Sequence, residues 1–404
     1  NDVAQLHVTY LPYLANIGEL KSKPAQTSVR ILNGMGIQPD IMVARTEKPM
    51  DQRRLDRLAL FCNMDRESIF SAPNLDTIYE VPLLFHQKNN HLASYCLKLL
   101  GLKARKHQEI KGWVEMAGRA KTEWTRRVHI AIVGKYFVTG DYQLVDSYVS
   151  VVEGLRHASW KIGVTPVLSW IDSERVEKEG EQILANYDAI VVPQGWGSRG
   201  TEGKIKAAKY ARENNVPYLG LCFGMQMAVI EFGRNVVGLD NANTTEVNPK
   251  TPHPVIHIMP NQAEYLAKKQ YGGTIRLGAW PCIIKKGTLL EKSYKKYGLG
   301  MDAPWYQVNK MTNGKYKPKK ASLIFERHRH RYEFNNLYKE KFEKKGFVFS
   351  GTSPDGKLVE AIELKDHLFF VGTQFHPEYI SRPLTPHPIF LSFIEAIVHK
   401  GTEV

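Results

Sequence analysis

The sequence predicts an α/β protein of two domains, and three observations carry that prediction. From residue 128 to residue 221, buried-type strands alternate with helical patterns, the rhythm of a parallel sheet with helices on both faces. One of those strands runs into Gly220-Leu-Cys222-Phe-Gly224, followed directly by an apolar helix. The chain has 404 residues with 43% hydrophobic content, more than one ordinary core accommodates.

Taken in order, Leu6–Tyr10 and Ile41–Ala44 read as short strands. Asp51–Cys62 has helical spacing at Leu55, Leu58, Ala59 and Phe61, with Asp51 as its N-cap. Residues 102–126 are polar and basic, apart from an apolar patch at Trp113–Ala117, and read as a linker with a short helix. The expected boundaries are 1–105 for the first domain, 106–126 for the linker and 127–404 for the second domain. In the second, Val128–Gly134 is a strand ending in glycine, Ser147–His157 a helix and Thr165–Trp170 a strand. Tyr187–Pro193 is a strand, Glu202–Glu213 a helix and Val216–Leu221 a strand. From Gly273 to Gln374 the pattern turns to short β-like runs such as Leu358–Leu364 and Leu368–Val371. Gly287–Ala321, rich in Lys, Tyr and Pro, reads as an inserted loop to which no function attaches.

The formal charge is +14, with local thickening at Lys103–Lys111 and Lys310–Lys320. A solvated lysine-rich surface accounts for such an excess; the sharper alternative is attraction to polyanions such as nucleoside triphosphates. No RNA-binding or zinc-finger signature accompanies the lysines, so nucleic acid is not an expected partner. No apolar run approaches the roughly 20 residues of a bilayer span, so no membrane association is expected. Residues 1–19 lack the basic-then-apolar layout of a secretory signal. The cysteines, Cys62, Cys96, Cys222 and Cys282, form no Cys-x-x-Cys pair. That spacing argues against a zinc site and fits a reducing, cytoplasmic setting.

The chemistry concentrates around Cys222. A strand running into Gly-x-Cys-x-Gly is the cysteine form of a nucleophile elbow, in which a sharp turn strains the nucleophile's backbone and small neighbours avoid clashes. The sulfur then sits at a helix N-terminus, where free N–H groups and the dipole favour thiolate. A buried structural cysteine at a strand end is the plain alternative. Downstream, Val371-Gly-Thr-Gln-Phe-His376-Pro-Glu378 follows an apolar strand. In extended chain, His376 and Glu378 share a face, so His376 faces the thiol while Glu378 orients the imidazole. That is the cysteine–histidine–acid arrangement of nucleophilic acyl transfer. The glycine-rich Val192-Pro-Gln-Gly195-Trp-Gly-Ser-Arg-Gly200 also follows a strand. With the N–H of Phe223 it supplies oxyanion donors, unless it is only a tight βα turn.

These three segments together resemble a class I glutamine amidotransferase, and further blocks resemble the CTP synthase family in that family's order. They are Lys21-Ser-Lys-Pro-Ala-Gln26, Arg45-Thr-Glu-Lys-Pro49, Ala59–Asn63, Ala72–Pro82, Val133-Gly-Lys-Tyr136, Asn243-Thr-Thr-Glu246 and Glu326-Arg-His-Arg-His-Arg-Tyr-Glu333. The fold implied is a partial P-loop-like synthetase domain followed by a flavodoxin-like α/β amidotransferase domain. The activity implied is ATP-dependent amination of UTP to CTP, with ammonia from glutamine passing through an internal tunnel. GTP is implied as activator, CTP as feedback inhibitor at the UTP site, and a homotetramer as the assembly.

By motif position the resemblance implies Cys222, His376 and Glu378 as the catalytic residues and Gly195 and Phe223 as oxyanion donors. Gln226, Glu246 and Arg331 are implied to hold glutamine, Arg331 at its carboxylate and Glu246 at its ammonium. Lys21, Lys23, Gln26 and Arg57 are implied for UTP or CTP, with Lys21–Gln26 as the nucleotide-holding loop. Arg45, Asn74 and Leu75 are implied for ATP, and Trp196 and Arg199 for GTP. Departures from the family pattern are Ala25 for a threonine, Arg57 for a lysine, and Gln194 and Trp196 for glycine and phenylalanine. No Gly-x4-Gly-Lys-Ser/Thr run occurs, and the acidic Mg²⁺ ligands are expected outside this sequence, so no metal ligand is assigned. The resemblance implies a sequence that begins inside the synthetase domain. The competing expectations are a glutaminase-only fragment or stand-alone γ-glutamyl hydrolase, and a non-catalytic assembly protein.

Overall fold

A computed structural model describes residues 3–86, 91–104, 110–135, 137–139, 142–143, 147–258, 276–298 and 323–400. The chain divides into two compact units, Asn1–Thr122 and Glu123–Val404.

In the first unit, β1 (Leu6–Leu11), β2 (Ile41–Thr46) and β3 (Ile69–Pro73) form a parallel sheet in that order. Between β1 and β2 lies α1 (Lys23–Gly34), and between β2 and β3 lies α2 (Gln52–Cys62). Asp51 caps α2 as expected, its carboxylate accepting the Arg54 N–H at 2.8 Å. Leu58 and Cys62 of α2 and Val29 of α1 pack on Leu11, Met42 and Ala44 of the sheet. Of the segment Lys21–Gln26, expected as a loop, Lys21 and Ser22 precede α1 and Lys23–Gln26 form its start. Pro24 occupies the first turn, where its missing N–H costs nothing and its fixed φ suits the helix. After a single helical turn at Val81–Leu84 come two longer helices, α3 (Leu92–Leu99) and α4 (Lys111–Lys121). The expected linker contains α4, whose Trp113 Nε1 donates to the Tyr79 carbonyl at 2.7 Å and ties it to the first unit.

The second unit is built on one nine-stranded sheet. Its strands are β4 (Arg127–Gly134), β5 (Thr165–Asp172), β6 (Ala189–Val192), β7 (Tyr218–Leu221), β8 (Arg276–Ile284), β9 (Leu323–His330), β10 (Phe347–Thr352), β11 (Val359–Leu364) and β12 (Phe370–Thr373). They lie in the order β9-β8-β10-β11-β12-β7-β6-β4-β5. The half from β12 to β5 is parallel, as the alternating pattern predicts. The β-rich tail adds the other four strands antiparallel to the same sheet, which makes it mixed.

Helices cover both faces. On one lie α7 (Thr201–Glu213) and α8 (Phe223–Phe232), packed on Ala131, Val133, Ile190 and Val192. On the other lie α5 (Val149–Ile162), α9 (Leu289–Tyr297) and α10 (Pro388–Lys400), packed on Ile130, Ile132, Val191 and Leu219. Between β5 and β6 runs the short α6 (Ser173–Glu179). The 287–321 stretch is therefore not all loop: α9 begins at a Thr288 cap that accepts the Glu291 N–H. Residues 299–322, including Lys310–Lys320, lie outside the described residues, as do 105–109 of Lys103–Lys111 and Tyr136.

Candidate active site

The site forms because β7 and β12 are neighbours. They pair in parallel with Leu221 opposite Thr373, and the Cys222 N–H donates to the Thr373 carbonyl at 2.6 Å. Two strands whose ends are 152 positions apart in the chain thus finish side by side at the carboxyl edge of the sheet.

Cys222 has φ 52° and ψ −100°, a region that non-glycine residues rarely adopt. The elbow depends on its glycines. A Cβ on Gly224 would lie 1.9 Å from the Val192 carbonyl oxygen, and one on Gly220 would lie 2.8 Å from the Gly224 backbone. Cys222 sits at the N-cap of α8, every residue of which is buried. Gln374 Nε2 reaches its sulfur at 3.5 Å.

His376 Nδ1 and Glu378 Oε1 are 2.7 Å apart, with both residues buried. They do not lie on extended chain as expected. β12 ends at Thr373, and Pro377–Tyr379 form a 3-10 turn that brings the carboxylate back to the imidazole. The proline still serves, since its fixed φ starts that turn. The other ring nitrogen, Nε2, makes no hydrogen bond of normal geometry among the described residues. The ring stacks on Tyr379 with centroids 4.7 Å apart. Burial opposes the imidazolium, but Glu378 and the nearby Cys222 outweigh it and hold the His376 pKa well above its ordinary value.

The glycine-rich loop after β6 lies beside the elbow, since a Cβ on Gly195 would be 3.6 Å from the Phe223 ring. The Gly197 N–H donates to Glu246 Oε1 at 2.9 Å. Burial raises the Glu246 pKa, against the Gly197 hydrogen bond and Lys135. Gln226, on α8, donates to the Tyr332 carbonyl at 2.9 Å and to Gln374 Oε1 at 3.2 Å. Arg331 is buried just beyond β9. The run before it alternates: His328 and His330 are buried, Arg327 and Arg329 exposed. The β9 backbone also reaches the site, because the His376 N–H donates to the Arg327 carbonyl at 2.8 Å. Trp196 is 42% exposed, and Arg199 lies 3.8 Å from Glu174.

In the first unit, Arg45, Asn74 and Leu75 line one cleft of about 360 Å³ with Val43, Ile78 and Phe85. Arg45 donates to Asn74 Oδ1 at 3.1 Å. The residues implied for the pyrimidine nucleotide have separate partners. Lys21 pairs with Glu19 at 3.1 Å, and Gln26 is buried and donates to Ser22 Oγ at 3.1 Å. Lys23 is exposed at the start of α1, and Arg57 is exposed on α2.

Sequence reasoning missed Gln374, Lys135 and Lys204. Gln374 stands inside the His376 motif, and its position two residues before His376 was the available signal. Lys204 lies in an ordinary helical pattern, and nothing in the sequence marks it as fully buried.

Residues 143–396 match the family described as glutamine amidotransferase class-I, and residues 1–102 match the one described as CTP synthase N-terminus. A CTP synthase of Halalkalibacterium halodurans is 44% identical over 407 residues, covering 99% of this chain and 68% of that protein. One from Caldanaerobacter subterraneus is 46% identical over 399 residues, covering 98% of this chain and 67% of that protein. The chain thus spans about two thirds of the length of these relatives. Among solved structures, the glutaminase domain of Trypanosoma brucei CTPS with bound acivicin is similar at a TM-score of 0.55 and 35% identity. It covers 67% of this chain and 94% of that one.

Proposed function

The chain belongs to the CTP synthase family of glutamine-hydrolysing ligases, and from that membership we propose that Cys222, His376 and Glu378 release the ammonia that converts UTP to CTP. The carrying observation is the placement of a strained Cys222 beside a histidine oriented by a buried glutamate.

The steps follow from the residues. The Cys222 thiolate attacks the side-chain amide carbon of glutamine, and the carbonyl oxygen becomes an oxyanion held by the N–H groups of Gly195 and Phe223. His376, protonated and held by Glu378, gives its proton to the leaving nitrogen, and ammonia departs as the thioester forms. The now neutral His376 takes a proton from water, whose oxygen attacks the thioester. Glutamate leaves and the thiolate returns. The substrate carboxylate suits the Arg331 guanidinium and its ammonium suits Glu246, and Gln226 is assigned to the same substrate.

The cleft that contains Arg45, Asn74 and Leu75 suits the adenine side of ATP. Lys21, Lys23, Gln26 and Arg57 are assigned to UTP or CTP, whose triphosphate carries roughly four negative charges. Trp196 and Arg199, exposed on the oxyanion loop, are assigned to GTP as activator. Among the described residues no group of three or more His, Cys, Asp or Glu side chains is placed to hold a metal ion, so no step is derived through Mg²⁺. CTP feedback, a homotetramer and a cytoplasmic setting complete the proposal. Four free cysteines fit that setting, and among the described residues no helix is long and apolar enough to cross a membrane. A stand-alone hydrolase leaves the match of residues 1–102 without a role.

The test measures CTP formation from UTP, ATP, Mg²⁺ and glutamine with GTP present, and ammonia release in parallel. Wild-type ammonia release that disappears in Cys222→Ala supports the assignment. Hydrolysis that persists in that variant removes Cys222 from the role.

A further inference from the structure

Lys204 is fully buried, and among the described residues no carboxylate pairs with its side chain. A buried cation without an anion costs several kcal/mol in desolvation, so its presence calls for a reason. Its partners are carbonyls of the oxyanion loop: Nζ donates to Pro193 O at 2.8 Å and to Gln194 O at 3.4 Å. A second lysine, Lys135 at the end of β4, donates to Trp196 O and to Gly197 O, both at 2.8 Å. Between them the two ammonium groups hold the carbonyls of 193, 194, 196 and 197.

Each of those carbonyls shares a rigid, trans peptide with the N–H of the next residue, and the two point in opposite directions. Fixing the Gln194 carbonyl toward Lys204 therefore fixes the Gly195 N–H away from it. The neighbouring peptide shows the same logic with both ends visible: the Trp196 carbonyl is held by Lys135 and the Gly197 N–H by Glu246 at 2.9 Å. A positive charge on a carbonyl oxygen also draws electron density from the attached N–H and makes it a stronger donor. The same lysines lie against the side chain of Phe223, with Lys135 Nζ 4.8 Å and Lys204 Nζ 5.5 Å from the centre of its ring.

We infer that Lys204 and Lys135 are positioning residues, Lys204 aiming and polarising the Gly195 donor peptide from behind and Lys135 fixing the next peptides of the same loop, a role that rests on Cys222 being the nucleophile and Gly195 a donor. Burial lowers the pKa of both lysines, that of Lys135 to about 8, with Glu246 acting in the opposite direction on Lys135. Either protonation state keeps N–H groups to donate to the carbonyls.

The experiment compares wild type with Lys204→Met and Lys135→Met, each keeping the bulk of the stem without the donors. Three quantities are read: glutaminase kcat and KM, melting temperature, and the rate at which iodoacetamide alkylates Cys222. Alkylation by displacement develops no oxyanion, so it reports thiol reactivity alone. The expected result is a kcat lowered about 10- to 100-fold with KM nearly unchanged, as for weakening one oxyanion donor. Alkylation is expected to be unchanged, and the melting temperature unchanged or raised, since apolar replacement of a buried charge is often stabilising. Unchanged kcat in both variants overturns the inference, as does alkylation that falls in step with kcat. If Lys204→Met does not fold, Lys135→Met decides by the same criteria. Failure of the underlying assignment shows separately, as wild-type protein that releases no ammonia or Cys222→Ala that still does.

Discussion

His376 and Glu378 are joined by a 2.7 Å contact between Nδ1 and a carboxylate oxygen, in a turn that is almost wholly buried. The glutamate fixes which ring nitrogen carries the proton inside the pair and leaves the other for substrate chemistry. Replacing it as Glu378→Gln should lower glutaminase kcat about 10²- to 10⁴-fold, in the range seen when the acid of a triad is neutralised. CTP synthesis from free ammonia should be spared. The same pair sets a pH dependence. Because the folded pKa of His376 is raised, its stabilisation is complete below the unfolded value of about 6.5 and is lost as pH rises through the folded pKa. Melting curves of wild type and Glu378→Gln should therefore converge as pH is raised above neutral, and curves that stay parallel would count against the pairing.

The strain at Cys222 makes a second prediction. A φ of 52° with ψ −100° suits glycine and penalises any side chain, so Cys222→Gly should be more stable than Cys222→Ala by about 1–3 kcal/mol. Denaturant titration measures the difference. Equal stabilities would show that the elbow is relaxed.

A third concerns the sheet behind the site. Arg276 and Glu360 form a bidentate pair at 2.9 and 2.6 Å, both buried. Removing the guanidinium in Arg276→Met strands the carboxylate and should cost about 3–5 kcal/mol. The double variant with Glu360→Leu should recover most of that loss, which a pair of urea titrations checks.

The first unit supplies a fourth. Arg45 donates to Asn74 in the cleft assigned to ATP. Arg45→Ala should raise the KM for ATP about tenfold or more while leaving GTP-free glutamine hydrolysis intact. An unchanged ATP response would remove the cleft from the assignment.

The sharp turn at Cys222, the His376–Glu378 segment after an apolar strand and the parallel half of the sheet were legible from the sequence because each depends on local pattern. Apolar runs of strand length mark β4, β6 and β7, the first ending in glycine, and Gly220-x-Cys222-x-Gly224 has the small residues that a sharp turn needs. The Asp51 cap was legible for the same reason. The resemblance implied a loop at Lys21–Gln26, whereas Pro24 lies in the first turn of α1, which begins at Lys23.

What tertiary structure alone decided is which segments meet. β12 lies beside β7 although their starting residues, Phe370 and Tyr218, are 152 positions apart, and no periodicity records that adjacency. The antiparallel strands of the tail read correctly as β but carried no sign that they extend the same sheet, because strand pattern states burial and not partner. The lysines behind the oxyanion loop show the limit most sharply. Lys204 occupies a helical position that resembles a solvated one, and only the packing of α7 against the loop turns it inward onto the carbonyls of Pro193 and Gln194. Residue type and spacing determined the chemistry this chain is equipped for; the packing of distant strands and helices determined where its donors point.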